Sequence, residues 1–377
     1  MPNVSRKQLK VLIGTNYLYQ KTVDLGQTNV TLKRRRLNFP AKILPNASSF
    51  TIAEPTHDLI HTVNCVPLFA TCPYIVTVES FLPRMWPKGS LNNWFFDVLR
   101  HHLSSHKCAK ILPMSQFAIR MMTMQNKGYE GWPSIAKKID LFYPSATSKN
   151  ILPKPMVDKK IKLLAVGRDF MRKGFPSITR AHNKLKKLGL DVETTIVSGL
   201  RWSKSDFIGP QSEHLFLDEI RQLKTSSIKS HLSLSNKDVI ALMAESHFLL
   251  LPTLHDSFGF VSIEALSVGT PVIATAVCAQ PEIVSDKENG FLIPIETEPE
   301  TGTWSWFGRN NHPDYTDAYM NQVESAADTI VATIANFANH IDSYKTLSAN
   351  AIQTAQTKFN LDIQRRRLED LYDEICG

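Results

Sequence analysis

The chain has 377 residues, of which 43% are hydrophobic and 21% charged, and its net charge is +8. This composition is typical of a folded enzyme and excludes a disordered tail or a fibre, and the length predicts two domains. No window of about 18 uninterrupted apolar residues occurs, and no long apolar core lies near the start. We therefore predict a cytoplasmic protein without a transmembrane helix or a signal peptide.

Short apolar runs alternate with amphipathic stretches in the first half of the chain. The runs predict strands at residues 10–13, 49–52, 59–62, 74–78, 110–113 and 140–143, and the amphipathic stretches predict helices at 93–102 and 115–124. This alternation favours a parallel sheet with helices on both of its faces.

The first half is also basic. Residues 1–150 hold 19 Lys and Arg against 7 Asp and Glu, a net charge of +12, whereas residues 151–377 hold 24 against 28, a net charge of −4. The asymmetry favours an anionic partner for the first half, such as a lipid surface or a phosphorylated acceptor. The densest basic run, residues 33–36, fits a solvated loop better than a binding patch. Because it lacks interleaved aromatics, zinc ligands and a recognition-helix motif, we do not expect nucleic acid as a partner.

A boundary is expected at residues 144–160, which carry three prolines together with Ser, Lys and Asn. Beyond it the pattern predicts strands at 162–166, 193–198, 248–251, 272–274 and 290–294, and helices at 177–187, 237–245, 262–268, 326–340 and within 347–375. Residues 296–319 are polar and predict an insertion loop. We therefore predict an α/β fold of two Rossmann-like domains, residues 1–150 and 151–356, facing across a cleft in which ligands bind.

Two stretches of the second half carry the chemistry. In the first, the buried run KLLAV leads into Gly167 and Arg168, and Lys173 follows Arg168 by five residues. Two cations in the loop after a strand can bind an anion. Such loop cations are, however, more often part of a solvated surface. In the second, a strand ends at Pro252, and a turn with Asp256 and Gly259 opens a helix that carries Glu264. The start of a helix suits phosphate or sugar hydroxyls, and a carboxylate accepts hydrogen bonds from paired hydroxyls. An ordinary helix-start acid and a surface glutamate would give the same spacing.

These residues resemble glycosyltransferase family 4, the retaining GT-B enzymes. The family's EGFGLPVxEAMAxGxPV stands here as DSFGFVSIEALSVGTPV, with Asp256 at the first Glu, and its GRxxxxKG loop stands as GRDFMRKG. TAVCAQPEIVSDKENGFL resembles TxxGGxPExVxDxxNGxL, with Cys278 and Ala279 at the glycine pair. The resemblance runs over residues 57–377 and is strongest in 162–294. We also predict that a C-terminal helix, at about residues 357–377, packs back onto the first domain.

The resemblance implies a role for each matching residue. Arg168 and Lys173 would neutralise the departing diphosphate, Glu264 would hold the ribose, and Asp256 would contact the donor sugar. The remaining donor-site residues that we predict are Gly167, Ser198, Gly199, His255, Ser257, Phe258, Gly259 and Phe260. Residues 197–200 and 235–239 would recognise the base. No Asp-x-Asp occurs, so we expect neither a metal requirement nor a cofactor.

Three positions in the first half are assigned to the acceptor side: His61, Glu79 and Arg84. Glu79 replaces the family's histidine and would contact the donor sugar, orient the acceptor or act as a base; alternatively it is a structural acid paired with Arg84. His61 fits a structural histidine better than a ligand, and His255 fits a surface histidine slightly better than a donor contact. The five cysteines (Cys65, Cys72, Cys108, Cys278 and Cys376) are odd in number and lack metal-ligand spacing, which predicts reduced thiols.

The resemblance therefore implies a retaining glycosyltransferase that moves a sugar from a nucleotide-sugar to a saccharide or lipid-linked acceptor, in cell-surface polysaccharide or glycan synthesis. The basic first half would meet an anionic membrane at its cytoplasmic face. Two alternatives stay open: a GT-B epimerase or phosphorylase, and a non-catalytic sugar-nucleotide-binding partner of another transferase.

Overall fold

The chain divides into two compact units in this computed structural model, which describes residues 8–14, 23–28, 30–35, 50–52, 57–85, 90–147, 151–155, 160–202, 208–210 and 212–377. The first unit comprises Met1–Ser145 and Leu361–Gly377, and the second comprises Ala146–Asn360. Within the described ranges, no helix is long and apolar enough to cross a membrane.

The strands and helices alternate along the chain. The strands are β1 (Leu9–Gly14), β2 (Val30–Arg35), β3 (Phe50–Ile52), β4 (Leu59–Val63), β5 (Val66–Leu68), β6 (Tyr74–Val78), β7 (Cys108–Pro113), β8 (Ile161–Val166), β9 (Val192–Val197), β10 (Lys229–His231), β11 (Phe248–Leu251), β12 (Val272–Thr275) and β13 (Gly290–Ile293). The helices are α1 (Ser90–Ser104), α2 (Gln116–Asn126), α3 (Trp132–Ala136), α4 (Phe175–Lys187), α5 (Glu213–Thr225), α6 (Asn236–Glu245), α7 (Phe260–Ser267), α8 (Gln280–Ile283), α9 (Tyr315–Ala338), α10 (Tyr344–Lys358) and α11 (Leu361–Cys376).

The first unit is built on a parallel sheet of order β2-β1-β4-β6-β7, beside a two-stranded sheet of β3 and β5. Its central strands β4 and β6 are buried along their whole length, which explains their apolar sequences. The last helix, α11, returns to this unit and packs Leu368, Leu371 and Tyr372 against residues of the sheet such as Leu59 and Ile75.

The second unit is built on a parallel sheet of order β10-β9-β8-β11-β12-β13. From β8, the strands β9 and β10 continue in chain order toward one edge of the sheet, and from β11, the strands β12 and β13 continue toward the other edge. The direction of the strand order therefore reverses between the neighbours β8 and β11. In doubly wound sheets this reversal leaves a crevice at the carboxyl ends of the strands, where ligands bind. The α/β fold class predicted from the sequence is confirmed.

Three predictions about single elements are wrong. Residues 140–143 form no strand: the segment follows β7 through hydrogen bonds from Asp140 N to Ile111 O and from Phe142 N to Pro113 O, but Pro113 has no N–H with which to continue a ladder. The basic run is not a loop, because residues 33–35 lie in the edge strand β2; residue 36 falls outside the described residues.

The third correction concerns residues 296–319, which are only partly a loop. Trp304 pairs in an antiparallel bridge with Thr297 and is 2% exposed, and helix α9 begins at Tyr315, eleven residues before its predicted start. Three buried residues at intervals of four lie on one face of the helix: Tyr315, Tyr319 and Val323. This spacing was the sequence signal that α9 begins earlier than predicted.

Candidate functional site

The loops that leave β8 and β11 lie side by side at the reversal of strand order in the second unit. Leu163 and Leu164 of β8 are in register with Phe248 and Leu249 of β11, so the two carboxyl ends meet at one edge of the sheet. Gly174 brings the loops into direct contact. It has a left-handed φ of 68°, and a Cβ at this position would lie 1.9 Å from the carbonyl oxygen of Pro252. Only glycine fits there.

Lys173 and Asp256 form an ion pair across these loops. Lys173 Nζ donates to Asp256 Oδ2, and the side chains are 11% and 17% exposed. Burial alone would raise the pKa of Asp256, but the Lys173 ammonium, aided by Arg172, lowers that pKa below its ordinary value. The site therefore holds a fixed cation and a fixed carboxylate at the carboxyl edge of the sheet, between the loops that follow β8 and β11.

The other predicted residues of the β8 and β9 loops lie at the same sheet edge. Arg168 is exposed, directly after Gly167, where a Cβ would stand 2.9 Å from Lys173 Cγ. Ser198 is buried and its hydroxyl accepts a hydrogen bond from Leu200 N at 3.1 Å, whereas Gly199 is exposed. The loops at this edge thus carry two exposed guanidinium groups, those of Arg168 and Arg201, in addition to the buried ammonium of Lys173.

The turn before α7 is held by a residue that the sequence did not reveal, Gln280. Its Nε2 donates to Phe258 O at 2.9 Å, and its Oε1 accepts from the Ser262 hydroxyl at 2.9 Å. Gly259, with φ of 87°, makes room for this amide, because a Cβ there would lie 2.1 Å from Gln280 Nε2. The signal was the place of Gln280 directly after the Cys278-Ala279 pair of the third motif.

The other residues of this turn are accessible to different degrees. Phe258 is buried and packs against Phe260, whose ring centroid is 5.3 Å away. Ser257, Phe260 and, within α7, Glu264 are half-buried. The turn follows β11 and therefore lies at the same edge of the sheet as the Lys173–Asp256 pair.

His255 lies beside Asp256 and is half-buried rather than a surface histidine. Its Nδ1 is 3.2 Å from Cys278 Sγ, and its ring stacks on Phe307 with 4.6 Å between centroids. Burial, together with the positive charge of Arg172, lowers the pKa of His255 to about 4. The imidazole is therefore neutral near pH 7.

The three residues that the sequence analysis assigned to the acceptor, His61, Glu79 and Arg84, lie in the first unit and do not form one cluster. Glu79 follows β6; its Oε2 accepts from Arg84 Nη1 at 3.2 Å and from Asn64 Nδ2 at 3.3 Å. His61 is fully buried inside β4, with Nδ1 2.6 Å from the Tyr372 hydroxyl and Nε2 2.8 Å from the Thr77 hydroxyl. These contacts support the structural alternative for His61.

Comparison with known proteins finds a family model that matches the part of the chain carrying Arg168, Lys173, Asp256 and Glu264. Residues 148–301 match the family model described as glycosyl transferases group 1. The match lies within the second unit and covers less than half of the chain.

Two curated relatives match about a third of the chain. An uncharacterised 41.2 kDa protein in the cps region of Klebsiella pneumoniae is 30% identical over 138 residues, which are 37% of this chain and 34% of that protein. The lipopolysaccharide glucosyltransferase WaaG of Escherichia coli is 28% identical over 131 residues, 35% of this chain and 32% of that protein. The matched segments thus span about a third of these relatives' own length.

A solved structure shares the fold over nearly the whole chain. Alr3699/HepE of Anabaena, crystallised in complex with UDP-glucose, superposes with a TM-score of 0.61 over 97% of this chain and 100% of its own, at 14% identity. The fold is therefore GT-B, as the resemblance implied.

Proposed function

We propose that this chain is a retaining glycosyltransferase that takes its sugar from a nucleotide-sugar bound to the second unit. The observation that carries the proposal is the Lys173–Asp256 pair at the reversal of strand order, with the exposed Arg168 beside it. A diphosphate needs cations and a sugar needs fixed hydrogen-bond acceptors, and this edge of the sheet offers both. The name of WaaG, a glucosyltransferase, and the UDP-glucose bound to HepE support this reading.

In the proposed reaction the bond between the sugar C1 and the diphosphate oxygen breaks, and the acceptor oxygen bonds to C1 on the same face. The acceptor's proton passes to the departing phosphate. Lys173 and Arg168 would stabilise the negative charge that develops on the diphosphate, without a metal ion. Asp256 would accept hydrogen bonds from the sugar, Glu264 would hold the ribose, and backbone N–H groups of the turn at Gly259 would meet hydroxyls or phosphate.

The first unit would bind the acceptor, a saccharide or a lipid-linked saccharide in cell-surface glycan synthesis. It carries 21 Lys and Arg against 12 Asp and Glu, a net charge of +9, which suits an anionic acceptor or the cytoplasmic face of a membrane. Because Glu79 is already paired with Arg84 and Asn64, we propose that it orients the acceptor as a fixed carboxylate rather than acting as a base.

The test is a thermal-shift panel of nucleotide-sugars on the wild type, Lys173→Ala and Glu264→Ala. Lys187→Ala serves as a matched control, because Lys187 is an exposed cation at the far end of α4. We expect one donor to raise the Tm of the wild type and of the control but of neither site variant. The proposal fails if no donor shifts the wild type, or if the shift survives in both site variants.

The donor found in this way is then tested for turnover. Transfer to an acceptor with the anomeric configuration kept, read by NMR, supports the proposal. An altered sugar nucleotide without acceptor indicates an epimerase, sugar release by inorganic phosphate indicates a phosphorylase, and binding without turnover across acceptors indicates a non-catalytic partner.

A further inference from the structure

Residues 296–314, here called the 296–314 segment, contact the loops that follow β11 and β12 in the second unit. The segment folds on itself through the bridge between Thr297 and Trp304 and through hydrogen bonds from Glu298 N to Thr303 O and from Gly302 N to Glu298 O, both 2.8 Å. Trp304 is buried against Tyr315 of α9. The segment is therefore an ordered part of the unit that can position other groups.

Two contacts join this segment to loops at the carboxyl edge of the sheet. Gly302 O accepts a hydrogen bond from Cys278 N, in the loop after β12, at 2.8 Å. Phe307 stacks on His255, in the loop after β11, with ring planes inclined by 22°. The segment thus contacts the loop that carries Asp256.

Cys278 has a backbone conformation that is unusual for its residue type. Its φ is 55°, in the left-handed region, and it stands where the resembled family has the first glycine of a pair. A cysteine here carries a conformational cost that glycine would not. The residue is 2% exposed and its Sγ lies 3.2 Å from His255 Nδ1, so the side chain makes a contact that glycine could not make.

His255 is consequently fixed on several sides. Its backbone oxygen accepts hydrogen bonds from Arg172 Nη1 at 3.1 Å and from the Thr253 hydroxyl at 2.9 Å, while Phe307 covers one face of the ring. Burial is the main cause that lowers the pKa of His255; the positive charges of Arg172 and Lys173 lower this pKa further, and the carboxylate of Asp256 opposes them. A neutral imidazole that accepts the thiol proton at Nδ1 carries its own proton on Nε2.

We propose that Cys278 and Phe307 are positioning residues that hold His255 as a neutral Nε2–H donor beside Asp256, so that the 296–314 segment sets which sugar the site accepts. The inference rests on the proposed function, and it identifies the His255 imidazole as the group that distinguishes one donor sugar from another. His255 would donate to one sugar hydroxyl while Asp256 accepts from another, so donors that differ in the configuration of one hydroxyl would be distinguished.

The first test needs no donor. In the full chain labelled with ¹⁵N-histidine, long-range ¹H–¹⁵N spectra report the tautomer of each imidazole, and His255→Gln identifies the His255 signals. We expect the Nε2–H form in the wild type and in Cys278→Ser, whose hydroxyl also donates. In Cys278→Gly we expect a mixture of tautomers. The inference is overturned if Cys278→Gly leaves the His255 tautomer unchanged.

Cys278→Gly also separates positioning from stability. Glycine suits the left-handed backbone, so we expect its Tm to stay within about 4 °C of the wild type. Cys72→Ala, a half-buried cysteine of the first unit, is the control for loss of a thiol and should leave both tautomer and Tm unchanged.

The second test measures sugar selectivity, as the ratio of kcat/KM for the preferred nucleotide-sugar to that for an epimeric one. We expect this ratio to fall about five- to tenfold in Cys278→Gly and in Phe307→Leu and to be kept in Cys278→Ser, since one neutral hydrogen bond is at stake. An unchanged ratio in Cys278→Gly overturns the inference. A tautomer change in a chain that binds no nucleotide-sugar would instead refute the proposed function and leave the positioning of His255 intact.

Discussion

At the scale of single residues, the site depends on an ion pair whose contact could not be predicted from sequence spacing. Lys173 and Asp256 are 83 residues apart and meet because β8 and β11 are neighbours in the sheet. The carboxylate keeps the ammonium in place, and the ammonium keeps the carboxylate ionised. A diphosphate that enters would draw Lys173 toward itself and leave Asp256 to accept from the sugar.

Removing one member of this pair should lower both the stability and the activity of the chain, and a double variant separates the two effects. We expect Lys173→Met to lower the free energy of unfolding by about 2 kcal/mol, because Asp256 loses its partner while only 17% exposed. The double variant Lys173→Met/Asp256→Asn should recover most of this stability, since no buried charge is left unpaired. Both should lose about 10²- to 10³-fold in kcat. Urea unfolding and turnover assays check this, and a double variant as unstable as the single one would contradict the pairing.

His61 makes a prediction about pH. Burial lowers its pKa from 6.5 to about 3, so between these pH values the unfolded chain binds more protons than the folded one. Stability is therefore lost as pH falls through this window, by about 2 kcal/mol between pH 7 and pH 5.

The measurement is urea unfolding at pH 7 and pH 5. His61→Gln should show a smaller acid loss than the wild type, whereas His101→Gln, which removes an exposed histidine, should show the same loss as the wild type. An equal acid loss in His61→Gln would mean that other groups cause it.

At the scale of elements, the strands that are both buried and at least four residues long were predicted; β5 is buried but has only three residues, and it was missed. Strands β8, β11 and β12 were predicted because parallel strands buried on both faces consist of apolar runs. Strand β10, whose three residues are all exposed, and the basic edge strand β2 lack this signal. The sequence indicated the loops that carry Arg168, Lys173 and Asp256. It marked Gln280 only by its place after the Cys278-Ala279 pair. It could not indicate the hydrogen bonds of Gln280 to the turn before α7 or the contact of Phe307 with His255, because these depend on distant segments meeting in space.

The turn that opens α7 gives a prediction with an internal control. Gly259 and Gly189 both have left-handed φ, 87° and 78°, but only at Gly259 would a Cβ strike a neighbour, Gln280 Nε2 at 2.1 Å. We expect Gly189→Ala to cost about 1 kcal/mol from backbone strain alone. Gly259→Ala should cost at least about 2 kcal/mol and abolish the Tm shift caused by the donor. Equal losses measured by urea unfolding would refute the role of Gln280 in holding this turn.

At the scale of the whole molecule, charge is divided between the two units. The first unit has a net charge of +9, and the second has 22 Lys and Arg against 23 Asp and Glu, a net charge of −1. The helix α11, which returns to the first unit, carries three arginines and five acids and so reduces the excess of positive charge there. Among its described residues, the first unit also exposes three large apolar side chains, Phe69 at 74%, Trp94 at 64% and Ile363 at 50%.

This division predicts how the chain meets membranes. We expect binding to vesicles containing phosphatidylglycerol to exceed binding to pure phosphatidylcholine, and to weaken as NaCl rises from about 0.05 to about 0.5 M, where the screening length falls below about 5 Å. Lys33→Gln, on the exposed edge strand β2, should weaken the binding about fivefold, the effect of one charge near an anionic surface. Lys187→Gln in the second unit should not. Cosedimentation measures the binding of each variant to each kind of vesicle. Equal binding to the two kinds of vesicle would contradict the membrane prediction, and an anionic acceptor alone would then account for the positive charge of the first unit.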